Sequence, residues 1–331
     1  MTSPLTRRDF LQRTAGAAVF LSLTRPRLRR VAASARQAAV AAERMFVSLN
    51  GALTAGKNVG WPEFARLAAR VGYGGVDWSL GPAQAEGLER TKALFAELQI
   101  KPTITNLPMA RSLPFGGEDA AFRDALGKLA DDAAFCAAIG CRKMMVVLPP
   151  TGPVPKDEYR KAVRDRVAAV SEVLQKSNVR LGLEFLGVRQ FRAGRAGGPP
   201  PHPFIWTLPE TVALARDCGA NIGVILDVWH WHHSGGTTAD IINTDASRIV
   251  HIHVSDARPM PPDEVRDNMR VMPGEGSIDL VGFFQALGKI GYEDGVSPEP
   301  LGRVPAEMSA EEAARLGLET TVSVMRKAGV A

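Results

Sequence analysis

Residues 221–256 read NIGVILDVWHWHHSGGTTADIINTDASRIVHIHVSD. The run 221–227 is apolar and closes on a carboxylate, Asp227. The run 249–255 is a second apolar run carrying His251 and His253. Between them the pattern predicts a short helix near 239–243. Two short apolar runs joined through a helix make a βαβ unit, which requires parallel strands and a crossover connection. The same alternation continues outward in both directions. Strands are predicted at 45–49, 75–80, 102–107, 143–148, 180–186 and 295–299, and helices at 61–71, 86–98, 118–139, 156–176, 208–218, 280–290 and 309–327. Eight strand–helix pairs fit a single (β/α)8 TIM barrel, which typically needs ~250 residues. A doubly wound open sheet would want a G-x-G-x-x-G turn after its first strand, and Asn50-Gly51-Ala52 stands there instead.

The chain of 331 residues has a formal net charge of +5, which taken whole suggests an anionic partner. Residues 1–35 hold seven arginines (Arg7, Arg8, Arg13, Arg25, Arg27, Arg29, Arg30) against Asp9, a balance of +6, so residues 36–331 carry −1. The remainder is near neutral, and nucleic acid is not an expected partner. A hydrophobic fraction of 45% and a charged fraction of 23% exclude wholesale disorder and a multi-span membrane protein. Cys136, Cys141 and Cys218 form no CxxC pair and read as small buried residues.

Thr6-Arg7-Arg8-Asp9-Phe10-Leu11, an apolar run at 14–23 and Ala33-Ser34-Ala35 resemble a twin-arginine export signal with its cleavage site. The expected organisation is a signal at 1–35, a linker at 36–44 and the barrel at 45–331. The protein would then pass through the twin-arginine translocase to a periplasmic or extracytoplasmic location, membrane-anchored if the leader is kept. The basic stretch Arg25–Arg30 is unusual before a cleavage site.

Chemistry in such barrels sits at the C-terminal ends of the strands. Strand 5 ends in Glu184, strand 6 in Asp227 and strand 8 in Glu299, while strand 7 carries His253. Three carboxylates in one cleft resist joint ionisation unless a cation is present. Three carboxylates with one imidazole form a hard, oxygen-rich set suited to one divalent metal ion: Mn²⁺ first, with Mg²⁺, Co²⁺ or Zn²⁺ also compatible.

The motifs G-L-E-F at 182–185, L-D-x-x-H at 226–230, H-I-H-V-x-D at 251–256 and P-G-E-G-S-I-D at 273–279 resemble those of the xylose isomerase-like sugar phosphate isomerases and epimerases. The resemblance covers roughly 45–330. It implies metal ligation by Glu184, Asp227, His253 and Glu299, substrate contact by His230, and a further basic contact for which Arg258 is the nearest match. It also implies a carbohydrate substrate, a homodimer or homotetramer, and an enediolate mechanism in which Glu184 and Glu299 act as acid and base. The epimerases place a second glutamate where this chain has Gln190, so a dehydratase or lyase acting on a keto-sugar or 3-keto-glycoside is the alternative. A non-catalytic sugar binder and an apurinic endonuclease are weaker alternatives. The second would need additional His ligands, where strands 2 and 3 offer Asp77-Trp78 and Asn106.

Other polar residues are read as structural. Arg189, Arg192 and Arg195 form a solvated loop face, His232 and His233 lie in a loop, and Trp229 and Trp231 belong to the core or to an apolar wall. Glu275 belongs to a loop clasp. His202 is a minor candidate. His251 is assigned to the side of its strand opposite His253.

Overall fold

The structure is a computed structural model and describes residues 45–193 and 201–331. The export signal, the linker and Arg195 lie outside the described residues. Eight strands, β1 (Phe46–Leu49), β2 (Gly75–Asp77), β3 (Lys101–Asn106), β4 (Lys143–Leu148), β5 (Arg180–Phe185), β6 (Ile222–Asp227), β7 (Ile249–Val254) and β8 (Gly295–Pro298), close into a barrel in the order β1-β8-β7-β6-β5-β4-β3-β2. Every neighbouring pair is parallel. β6 and β7 are buried along their whole length, as strands covered on both faces must be, and this is why they read as unbroken apolar runs.

The helices lay their apolar stripes on the outside of the barrel. Glu63–Val71 buries Phe64, Ala65, Leu67, Ala68 and Val71, and ends at Gly72 in the left-handed conformation (φ 100°). Inside the barrel, Gly182 of β5 makes room for a neighbour: a Cβ there would stand 2.3 Å from Ile225 Cδ1.

The structure departs from the sequence reading at four places. The predicted strand at 75–80 stops at Asp77, and Leu80–Glu86 is helical. The predicted helix at 86–98 begins instead at Leu88, separated from Leu80–Glu86 by Gly87, whose φ of 91° lies outside helical space. A short helix, Val228–His233, follows β6 directly and contains His232 and His233, which were expected in a loop. Finally, His251 and His253 share the barrel interior, their rings edge to face at 5.5 Å. Residues two apart on a strand point to the same face, so the expectation that they diverge was wrong.

Thr151–Gly152 pairs antiparallel with His202–Pro203, tying the loop after β4 to the end of the long loop after β5 and leaving His202 exposed. All three cysteines are buried and free. No helix among the described residues is long and apolar enough to cross a membrane.

Candidate metal centre

β5, β6 and β7, with the residue following β8, bring Glu184, Asp227, His253 and Glu299 to the C-terminal mouth of the barrel. Asp227 and His253 are register partners across β6 and β7, and the Glu299 amide donates to Val254 O at 2.8 Å. One donor atom from each of the four residues lies within 4.8 Å of the others. His253 Nδ1 stands 2.9 Å from Glu184 Oε1 and 3.5 Å from Glu299 Oε2.

Asp227 has two roles. It is the N-cap of the helix Val228–His233, its Oδ1 accepting from the Trp229 amide at 2.8 Å. The D-x-x-H spacing then places His230 one helical turn on, with Nε2 3.8 Å from Asp227 Oδ2. Gly187 lets the loop after β5 lie against this helix; a Cβ there would meet the His230 carbonyl oxygen at 1.9 Å.

Two residues of the centre were not found by sequence reasoning. Arg270 is buried, and its Nη1 donates to Asp227 Oδ2 at 2.7 Å and to Glu299 Oε2 at 2.9 Å. Its Nη2 donates to Asp267 Oδ1 at 2.8 Å and to His230 Nε2 at 3.3 Å; the arginine has no acceptor, so His230 Nε2 accepts. The guanidinium lies 5.6 Å from the Trp229 ring. The segment carrying Arg270 is held by Asp256, whose backbone exchanges two 3.0 Å hydrogen bonds with Val271. The Asp256 carboxylate accepts from the amides of Ala257, Gly274, Gly276 and Ile278. P-G-E-G-S-I-D is thus a clasp, as expected, and Glu275 in it pairs with Arg303. Within 257–277 nothing in the spacing distinguishes Arg270 from Arg258 or Arg266. The one available signal was the need of three carboxylates for positive charge.

The expected basic contact, Arg258, is exposed and lines a separate groove with Met260 and Val265. Arg189 pairs with Asp263, and Arg192 lies over Trp206 and donates to Gly187 O, in keeping with a loop face. Trp229 and Trp231 are buried and belong to the core.

The cluster opens into a cavity of about 480 Å³ lined by Asn50, Asp77, Trp78, Asn106, Arg111, Phe191, His230, Asp267 and Arg270, besides Glu184, His253 and Glu299. Phe191 is on its wall, and Gln190 is not.

Burial would lower the His253 imidazole, but the charges of Glu299, Glu184 and Asp227 and the hydrogen bond to Glu184 push it up to about 10. Burial raises Glu299 to about 7 against the opposing pull of His253 and Arg270. Burial also works to raise Asp227, yet the charges of Arg270, His230 and His253 hold it below the usual carboxylate range. His230 is lowered, chiefly by burial. Arg270 and the protonated His253 are the resident cations, set against the three carboxylates of the cluster and Asp267, so the centre is left short of positive charge. His253 Nε2 is buried without a hydrogen-bond partner among the described residues, and it can hold the ring proton while the Nδ1 lone pair is offered to a cation. The residues fit a divalent cation, held by three carboxylates and one imidazole.

The chain belongs to the xylose isomerase-like TIM barrel family, whose model matches residues 65–321. Among curated proteins it is similar to inosose isomerases of Bacillus subtilis (29% identical over 193 residues, 58% of this chain and 66% of the relative) and Halalkalibacterium halodurans (31% over 172 residues, 52% and 57%). The matched stretches thus span less than two thirds of these relatives' length. Among solved structures it is similar to a xylose isomerase domain protein from Alicyclobacillus acidocaldarius (27% identity, TM-score 0.75, covering 86% of this chain and 99% of that one). It is also similar to the IOLI protein with a bound zinc atom (25% identity, TM-score 0.72, 86% and 99%).

Proposed function

We propose that the protein is a metal-dependent isomerase or epimerase acting on a hydroxyl-rich carbonyl substrate, a sugar or cyclic keto-polyol. The observation that carries this reading is the convergence of Glu184, Asp227, His253 and Glu299 at the floor of one polar cavity. The relatives named inosose isomerase, together with a relative that holds zinc, support it. A divalent ion bound by these four residues would polarise the substrate carbonyl and offset the charge of an enediolate.

The protein groups do the rest. Glu184 and Glu299 come from strands on either side of the β6–β7 pair and are placed to remove and return a proton at the carbon next to the carbonyl. Glu299, beside His253 and Arg270, holds that proton in one half of the reaction and releases it in the other in this reading. His230, kept neutral by burial and accepting from Arg270, is oriented at the cavity wall for a substrate hydroxyl. Asn50, Asn106 and Asp77 add hydrogen-bonding groups for hydroxyls. Arg270 is committed to carboxylates, and Arg111 is the other cationic residue on the cavity wall.

The test is metal analysis of wild type and Asp227→Ala, with incubation of both in D₂O with a 2-keto cyclitol. The reading expects metal and deuterium uptake at the α-carbon in wild type, and neither in the variant. Metal content unchanged by Asp227→Ala would overturn the site. An enone product would replace the isomerase reading by a dehydratase, the alternative that Gln190 brings forward. Export through the twin-arginine translocase is proposed from residues 6–35 alone. Replacing Arg7 and Arg8 by Lys should retain the protein in the cytoplasm, and unchanged export would reject it.

A further inference from the structure

Directly beneath the four-residue cluster, the barrel interior is polar where such barrels ordinarily pack branched aliphatics. Ser48 of β1, Asp77 of β2, His251 of β7 and Ser297 of β8 meet there. Asp77 Oδ1 accepts from Ser48 Oγ at 2.8 Å and from Ser297 Oγ at 3.0 Å, and Oδ2 accepts from Asn50 Nδ2 at 3.0 Å. Ser297 has one proton to give, and it goes to Asp77. Its oxygen must then accept from His251 Nε2, 2.7 Å away. The donors therefore run in one direction, from His251 through Ser297 to Asp77, and three donors favour the Asp77 carboxylate against the burial that raises it. In this layer Asp77 is held by three donors, His251 Nδ1 is buried without a hydrogen-bond partner among the described residues, and donor atoms of Asp77, His251 and His253 lie within 4.8 Å of one another.

His253 stands between the two layers. Its Nδ1 faces Glu184 and Glu299, and its Nε2 is buried with no hydrogen-bond partner among the described residues. A histidine that offers Nδ1 to a metal ion keeps its proton on Nε2. In metal centres that proton is ordinarily steadied by a carboxylate, carbonyl or water. The geometry points to Asp77 as a positioning residue of the metal centre: anchored by Ser48, Ser297 and Asn50, with a carboxyl oxygen within 4.8 Å of a His253 ring nitrogen, it steadies that ring with its proton on Nε2 and leaves Nδ1 for the ion. This inference rests on the metal reading above.

The experiment uses full-length protein stripped by chelator and titrated with Mn²⁺ and Zn²⁺ under chelator competition. Asp77→Asn keeps the shape and removes the charge. The expected result is a 10–100-fold weaker metal affinity, with the melting temperature of the metal-free variant close to that of wild type. In ¹⁵N-histidine spectra of the zinc-loaded protein, the wild-type His253 signal should report a protonated Nε2, and this signature should weaken in the variant. Ser297→Ala, which removes one of the three donors anchoring the Asp77 carboxyl, should weaken binding in the same sense and decides the matter if Asp77→Asn does not fold. A folded Asp77→Asn or Ser297→Ala protein that binds both ions as wild type does would overturn the assignment while leaving the metal centre standing. A wild type that binds neither ion would remove the metal centre itself and this inference with it.

Discussion

Arg270 Nη1 donates to Asp227 Oδ2 at 2.7 Å, with both side chains almost fully enclosed. A loop side chain thus supplies positive charge to a cluster built by strands, and it does so before any metal ion arrives. Removing one partner of a buried pair costs about 3–5 kcal/mol, because the other is left buried and uncompensated. Arg270→Met should destabilise the metal-free protein by about that much, and added Mn²⁺ should restore part of the loss. Urea unfolding in chelator, with and without Mn²⁺, measures both; a loss below about 1 kcal/mol would show that the pair is not the clamp it looks like.

The metal-free protein should lose stability as pH rises from 8 to 10. His253, near 10 when folded against an unfolded value of about 6.5, favours the folded state fully below pH 6.5, and that contribution disappears as pH approaches 10. Glu299, raised to about 7, acts with the same sign from pH 4.5 upward: its share is lost as pH passes 7. Melting temperatures of chelated protein between pH 8 and 10 should fall, above the range in which His230, His232, His233 and His251, all lowered by burial, act with the opposite sign, and bound metal should flatten the slope by taking the place of the protons. A chelated protein that gains stability over this range would contradict the assignment.

Glu184→Gln and Glu299→Gln should each slow deuterium exchange into a keto-polyol by about 10²–10⁴-fold at saturating metal, the range for loss of a general acid or base. The pair would not be the proton shuttle if either variant exchanged at the wild-type rate.

Arg258 and Arg270 should behave oppositely. Arg258 lies outside the cavity, so Arg258→Ala should leave kcat/KM within about twofold, as surface changes usually do. Asp267→Asn, which loosens the hold on Arg270 Nε and Nη2, should raise KM. Steady-state kinetics on the two variants decide between the residue expected from sequence and the one that the fold delivers.

Gly187→Ala should be poorly tolerated, because its Cβ would meet the His230 carbonyl oxygen at 1.9 Å. Overpacking typically costs about 1–3 kcal/mol, and here the strain falls on the helix that orients His230. Thermal unfolding and KM should therefore worsen together; a stable variant with altered KM would confine the effect to the site.

The strand ends were legible because their signal is local. Each of β5 and β6 is an apolar run closing on an acid, and parallel βα alternation sends every such end to the same mouth. Glu184, Asp227, His253 and Glu299 followed from that alone, and the one-turn spacing from Asp227 marked His230. The helix Leu80–Glu86 was missed because its first residue closes the run Gly75–Leu80, which reads as strand, and only the glycine at 87 marks its end.

What the sequence by itself determined is the barrel and the four donor residues, because period and chain order encode them. Only the tertiary structure decided which cation neutralises them and what lies underneath. Arg270 reaches Asp227 because Asp256 grips the backbone around Val271 and Gly274, a contact between residues 15 or more apart with no periodic trace. The Asp77–Ser297–His251 layer exists because β1, β2, β7 and β8 meet around one closed interior. Side chains distant in the chain share hydrogen bonds there only after the barrel has closed.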